Sequence, residues 1–237
     1  MTALRAIALE DRPGEAWTRI CGVDAACDHA GCLFLPDFSM LVVADLHLEK
    51  GAAFAARGRM LPPWDTLATL DRLAARIDAW RPETVVSLGD GFHREESSGC
   101  MPPAFAGKLK AMTAARNWVW IAGNHDPVPP QGVGGVAAEE LAAGPLILRH
   151  APGTGGSEGE IAGHLHPVAR LVRRGRAVRR PCFATDGRRM ILPAFGAFTG
   201  GVSLADPVFA GLFDAAALRV HVLGRGRIFT LGAGSLS

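Results

Sequence analysis

The chain has 237 residues and a mass of 24.9 kDa, a length that suits one large domain better than two. With 49% hydrophobic and 20% charged residues it can bury a sizeable core, which excludes a disordered or fibrous chain, and the absence of tyrosine with only 7% aromatics argues against a base-stacking platform. A formal charge of +2 and a pI near 8.4 are too balanced to identify a nucleic-acid partner from the total.

The first residues carry Glu10 and Asp11 just after the short apolar run Ala6 to Leu9, which does not read as a signal peptide, and no apolar stretch reaches the roughly 18 residues of a membrane span. A cytoplasmic location is expected. Five cysteines without a repeating pair spacing fit free thiols in a reducing compartment. Cys21, Cys27 and Cys32 cluster near His29, but without a Cys-x-x-Cys knuckle they read as ordinary reduced cysteines before they read as a zinc site. The run Met40 to Ala44 is short, apolar and β-branched, as a buried strand is. Asp65 then opens a helical pattern with Leu67, Leu70, Leu73, Ala74 and Ile77 on one face, ended by Pro82. Thr84 to Leu88 and Trp118 to Ala122 are further strands, with a helix compatible with Pro102 to Ala115 between them. Strand and helix alternate as in βαβ units, so a mostly parallel sheet is expected in this half.

The second half is richer in strands, with 145–149, 160–162, 168–172, 182–185 and 189–192 as short candidates between glycine and arginine turns. Asp186-Gly187 carries the pair that a hairpin with two positive φ positions favours, and a second hairpin is expected at Leu218 to Leu231 around Gly224 and Gly226. The expected architecture is a single α/β domain with two packed sheets flanked by helices.

Ligands of open α/β sheets bind beyond the carboxyl ends of the strands. Here each predicted early strand ends in a metal-ligand residue: Asp45-x-His47, Gly89-Asp90, Gly123-Asn124-His125-Asp126, then His150 and Gly163-His164-x-His166. In an extended chain Asp45 and His47 point the same way, with Leu46 turned to the core. Each motif alone is weak; the five in this order form one constellation.

This constellation resembles the metallophosphoesterases of the calcineurin-like superfamily. Longer stretches, Ala44 to Gly51, Arg57-Gly58, Leu61-Pro62-Pro63, Gly123 to Pro127 and Ala184 to Gly200, resemble the ligase-associated DNA damage response endonucleases, or PdeM phosphoesterases. The resemblance implies a four-layer α-β-β-α sandwich and two divalent metal ions, Mn²⁺ first, with Zn²⁺ or Fe²⁺ as alternatives, since nitrogen and oxygen donors suit all three. It assigns Asp45, His47, Asp90 and His166 to one metal and Asp90, Asn124, His150 and His164 to the other, with Asp90 bridging. His125 would act on the leaving oxygen and Asp126 would orient His125 or its loop. His150 has no distinctive flanking motif and rests on its strand-end position and its order in the chain, while His29 and His221 lie outside the constellation.

Between Ala169 and Arg189 stand eight arginines with Asp186 as the only acid. Arg173, Arg174 and Arg176 are candidates to grip phosphates flanking the cleaved one; a solvated hairpin with outward arginines is the alternative. His93, Arg94, Lys50 and Arg57, with Arg59, are further candidate phosphate contacts. The resemblance points to a phosphodiesterase cutting DNA in repair, with contacts to the backbone and without base specificity, and to a functional link with an ATP-dependent DNA ligase. A phosphoesterase of small nucleotides or cyclic phosphodiesters would use the same site chemistry. A catalytically silent scaffold would be free to lose the ligand set that this chain keeps.

Overall fold

A computed structural model of the chain describes residues 14–55, 58, 64–92, 101–127, 132–155, 158–173, 176–232 and 234. Strands β1 (Glu15–Ile20) and β2 (Val23–Asp28) pair antiparallel with Ile20 opposite Val23, so Cys21 and Gly22 are the whole turn. Both have positive φ, 46° and 84°, as a type I′ hairpin turn requires. β3 (Leu33–Leu35) leads antiparallel into β4 (Met40–Ala44). After helices α1 (Lys50–Ala55) and α2 (Asp65–Trp80) the sheet continues in parallel through β5 (Thr84–Leu88), β6 (Asn117–Ile121), reached by α3 (Pro103–Ala114), and β7 (Val136–Ala138). The expected mostly parallel sheet is therefore mixed, because the N-terminal segment adds three antiparallel strands to it.

The second sheet takes β8 (Glu140–Ala143), β9 (Leu146–Arg149), β10 (Glu160–Ala162), β11 (Pro167–Arg173), β12 (Arg176–Thr185), β13 (Arg189–Ile191) and β14 (Val202–Ser203) in the spatial order β14-β11-β12-β13-β10-β9-β8. The expected hairpin of β15 (Arg219–Leu223) and β16 (Ile228–Gly232) joins it along β12. The Asp186-Gly187 turn is present but works differently from the expectation. Only Gly187 has positive φ, and Asp186 Oδ1 instead accepts from the amides of Arg188 and Arg189, both at 2.9 Å.

Buried strands send alternate residues into opposite layers. Val42 and Ala44 of β4 and Val86 and Leu88 of β5 meet Leu148, Ile161, Phe183 and Met190 between the sheets, whereas Leu41, Val43 and Val85 face Leu70, Leu73 and Ile77 of α2 and Leu109 and Met112 of α3. The two packed sheets of the α-β-β-α sandwich thus have their two longer helices on one flank. On the other, among the described residues, Phe209 of a 3₁₀ turn (Pro207–Phe209) covers Leu165 and Ile191.

The thiols near His29 do not converge. Cys27 packs between the sheets and Cys32 under the helices, on opposite sides of the first sheet, and burial pushes both thiols up. His221 is buried as well, held by Thr230 Oγ1 2.9 Å from its Nδ1, and burial lowers its pKa to about 4. Among the described residues no helix is long and apolar enough to cross a membrane.

Helix α2 stops where expected, at a left-handed Arg81 (φ 49°) whose amide donates to Ile77 O at 2.8 Å. Glycine lacks the Cβ that crowds this conformation, so Arg81→Gly is expected to stabilise the fold by about 0.5 kcal/mol in urea unfolding. A loss of stability would show that the arginine side chain does more than end the helix.

Candidate metal centre

Asp45, Asp90 and Asn124 follow β4, β5 and β6 of the first sheet; His150 follows β9 and His164 and His166 follow β10 of the second. β4, β5 and β6 run parallel to one another, as do β9 and β10, so these carboxyl ends open on one edge of the sandwich.

The backbone there is not extended. Asp45 and His47 have φ of 54° and 43°, Asp90 45°, His164 66° and His166 45°, so the reason expected for the shared direction of Asp45 and His47 does not apply. Leu46 still turns inward, but between two left-handed residues. Each such residue costs about 1–3 kcal/mol and persists only where its surroundings hold it. Backbone hydrogen bonds from distant segments do so: His47 N donates to Asp90 O at 2.8 Å, Phe195 N to Ala44 O at 2.8 Å, Gly196 N to Asp45 O at 3.0 Å and Val202 N to His166 O at 3.1 Å. On the next turn Glu49 N donates to Thr66 Oγ1 and Gly51 N to Asp65 Oδ2, both at 2.8 Å, which ties the segment to the start of α2.

Two groups of donor atoms converge, Asp45 with His47 and His166, and Asp90 with His150 and His164, the atoms of each group lying within 4.8 Å of one another. His47 Nε2 stands 3.9 Å from Asp90 Oδ2, which links the groups. Asn124 joins the second through Oδ1, 2.9 Å from His150 Nε2. Asp45 and Asp90 are buried, while Asn124, His125 and His164 are exposed at the mouth.

The donor chemistry fits metal ions. His150 Nδ1 lies 2.9 Å from the Leu88 carbonyl, which can only accept, so Nδ1 carries a proton and, in the neutral ring that binds a metal, Nε2 carries the lone pair. That lone pair faces Asn124 Oδ1, the His164 Nδ1 atom at 3.0 Å and Asp90 Oδ1 at 3.6 Å. His166 Nδ1 is likewise 3.2 Å from the Gly200 carbonyl, leaving Nε2 3.2 Å from Asp45 Oδ1 without hydrogen-bonding geometry. With their rings neutral, these nitrogens and the carboxylate oxygens form a donor set that suits divalent cations. Burial and the neighbouring His150 lower the pKa of His164; burial also works to lower His166, but the Asp45 carboxylate and the Gly200 carbonyl outweigh it and raise that group.

His125 stands over the first group, its ring 5.5 Å from that of His47, and its amide donates to Asp90 Oδ1 at 2.9 Å. Asp126 ties down the loop: its Oδ2 accepts from Phe92 N at 3.0 Å, and burial raises its carboxyl pKa to about 7. Lys50 donates from Nζ to Phe198 O at 3.2 Å, and burial lowers its pKa. Arg57, Arg59, His93, Arg94 and Arg174 lie outside the described residues, as does the side chain of Arg173.

Not all of the basic run is surface. Arg189 is 1% exposed and forms an ion pair with Glu160, so it is unavailable to a substrate, and Arg188 pairs with Glu158 at 2.7 Å. Arg176 borders an apolar groove with Val178 and Phe229. Arg179, which its place in the run does not single out, lines the cleft beside His166; counting β12 residues in register with β11 would have found it.

Among solved structures, this chain is similar to the crystal structure of Pseudomonas putida nuclease MPE, with 29% identity and a TM-score of 0.71 over 92% of this chain and 100% of that one. Yfce, a phosphoesterase from E. coli, is matched at 13% identity and a TM-score of 0.38 over 84% of this chain and 94% of that one. Among curated proteins there is no match. A family model for calcineurin-like phosphoesterases matches residues 38–169, the stretch from just before β4 to just past His166 that contains every converging donor, and with more than half of its length matched the chain belongs to that family of phosphoester hydrolases.

Proposed function

We propose that this phosphoesterase is a dinuclear metal-dependent phosphodiesterase that cleaves DNA, with repair as its setting. The observation that carries the reading is the pair of donor groups joined at Asp90 beneath an exposed histidine. The likeness over 92% of the chain to a nuclease supports nucleic acid as the substrate, and the resemblance of the longer motifs supports repair alongside an ATP-dependent ligase.

Asp45, His47, Asp90 and His166 would hold one ion and Asp90, Asn124, His150 and His164 the other, with Mn²⁺ as the first candidate. Such ions, when bound, neutralise the phosphate and lower the pKa of water so that it attacks at neutral pH. The protein's own groups do the rest. Leu88 O and Gly200 O fix the tautomers of His150 and His166, so that the correct ring nitrogens face inward. Asn124 contributes a neutral oxygen, which keeps the site more positive toward an anionic substrate than a third carboxylate would. His125, exposed at the mouth, donates a proton or hydrogen bond to the leaving oxygen.

Mn²⁺-loaded protein is expected to hydrolyse bis(p-nitrophenyl) phosphate and to nick supercoiled plasmid. Asp90→Asn and His125→Ala are each expected to lose at least about 100-fold in kcat/KM with an unchanged circular dichroism spectrum. Wild-type rates in both variants would sink the reading. Hydrolysis of the small ester without any cleavage of DNA would move the substrate to small nucleotides or cyclic phosphodiesters.

A further inference from the structure

Strand register sorts the arginines of the β11–β12 hairpin. Cross-strand partners share a face of the sheet and successive residues alternate. The pairs Val168↔Pro181 and Arg170↔Arg179 therefore lie on one face, and Ala169↔Arg180 and Leu171↔Val178 on the other. A cleft of about 320 Å³ beside His166 is lined by Val168, Arg179 and Pro181, so the first face is the one that continues from the metal centre. The second face closes on Phe229 in an apolar groove that includes Leu171, Arg176 and Val178, with Arg180 bordering both.

Arg170 and Arg179 are exposed and stand directly opposite each other. Neither forms an ion pair among the described residues; Arg179 Nη2 donates only to the uncharged Gly201 carbonyl, at 3.0 Å. Two like charges in this position repel unless an anion lies between them. Guanidinium forks in turn match phosphate oxygens in charge and geometry.

We propose that Arg170 and Arg179 form a fork for a second phosphate of the substrate, next along the strand to the one held at the metal centre. The preferred substrate is then a polynucleotide, whose phosphates recur, and not an isolated phosphoester. This rests on the phosphodiesterase reading above.

The test compares the Mn²⁺-loaded wild type with Arg170→Ala/Arg179→Ala and with Arg81→Gly, which removes a charge at the amino end of β5, away from the ligand-bearing strand ends. Substrates are bis(p-nitrophenyl) phosphate, with one phosphate, and single-stranded oligonucleotides of two to six nucleotides with and without a terminal phosphate. The ratio of oligonucleotide to small-ester kcat/KM is expected to fall by about tenfold or more in the double variant and to hold in Arg81→Gly, since charge-assisted hydrogen bonds to phosphate carry that weight. The slope of log kcat/KM against log salt is expected to become shallower by about one, because one phosphate is no longer neutralised by the protein. An unchanged ratio and slope, with small-ester hydrolysis present, overturns the fork and leaves the phosphodiesterase reading standing. A gain confined to a terminal phosphate overturns the polynucleotide assignment. Absence of small-ester hydrolysis in the wild type defeats the phosphodiesterase reading and the fork with it.

Discussion

Gly123→Ala is expected to reduce phosphodiester hydrolysis by at least about 100-fold, because displacements on the order of 1 Å at a reacting centre have effects of this size. A Cβ on Gly123 would collide with Asp90, at its backbone nitrogen and at Oδ1, and would lie 2.6 Å from Asp126 Oδ1. The Asp90 nitrogen is backbone and cannot swing aside, and the Asp126 carboxylate is held through its other oxygen by the Phe92 amide. Asp90 is in a left-handed conformation, its Oδ1 already accepts from the His125 amide, and its carbonyl accepts from His47 N. Any shift that accommodates the methyl moves the carboxylate proposed to bridge the metals, and with it the two loops that carry His47 and His125. Metal content measured after gel filtration should fall together with activity. Gly107→Ala is the control: it lies in α3, an added Cβ meets nothing within 4 Å, and alanine in a helix interior is expected to stabilise by about 0.5–1 kcal/mol. Full activity in Gly123→Ala would mean that the Asp90 loop can move freely, and the proposed bridging role would lose its geometric basis.

The same loop shows why parts of this site can be read from sequence and others cannot. β4 and β5 have the residue limits expected of them because a short apolar run bounded by polar residues is a local signal, and the candidate ligands come directly after those strands. The left-handed backbone at Asp45, His47 and His166 leaves no such mark, since aspartate and histidine enter that conformation more readily than most residues but still only occasionally, so the residue type alone does not announce it. It is imposed from far along the chain by the Phe195, Gly196 and Val202 amides. β1 and β2 are hard to read because their turn is Cys21-Gly22 instead of a pair with asparagine or aspartate in first place. The arginines between Ala169 and Arg189 are one charge run in sequence, yet among the described residues the fold puts Arg189 in a buried ion pair, Arg188 in a surface pair, Arg179 in the cleft beside His166 and Arg176 on the rim of an apolar groove.

Arg189→Met provides the largest expected change in stability, a loss of about 3–5 kcal/mol in urea unfolding, because it strands a buried charge. Arg189 and Glu160 are each 1% exposed, with Nε 2.5 Å from Oε2. The guanidinium also donates to the carbonyls of Gly153, Gly155 and Leu212 at 3.0, 2.7 and 2.9 Å. Methionine fills a similar volume, so the loss is electrostatic and not a cavity. Glu160 would keep the Gly153 amide at 2.8 Å and Arg149 at 3.6 Å, too little to solvate a carboxylate removed from water. Adding Glu160→Gln is expected to recover part of the loss, since removing both charges is milder than removing one. A double variant less stable than Arg189→Met would show that the Gly153 amide and Arg149 satisfy the Glu160 carboxylate without Arg189, and that no stranded charge explains the loss. The consequence reaches the metal centre, because Glu160 opens β10, which pairs with β13 at Arg189 and ends just before His164 and His166. Loss of metal from Arg189→Met at denaturant concentrations below the unfolding transition would therefore report loosening of β10 before the rest of the fold gives way.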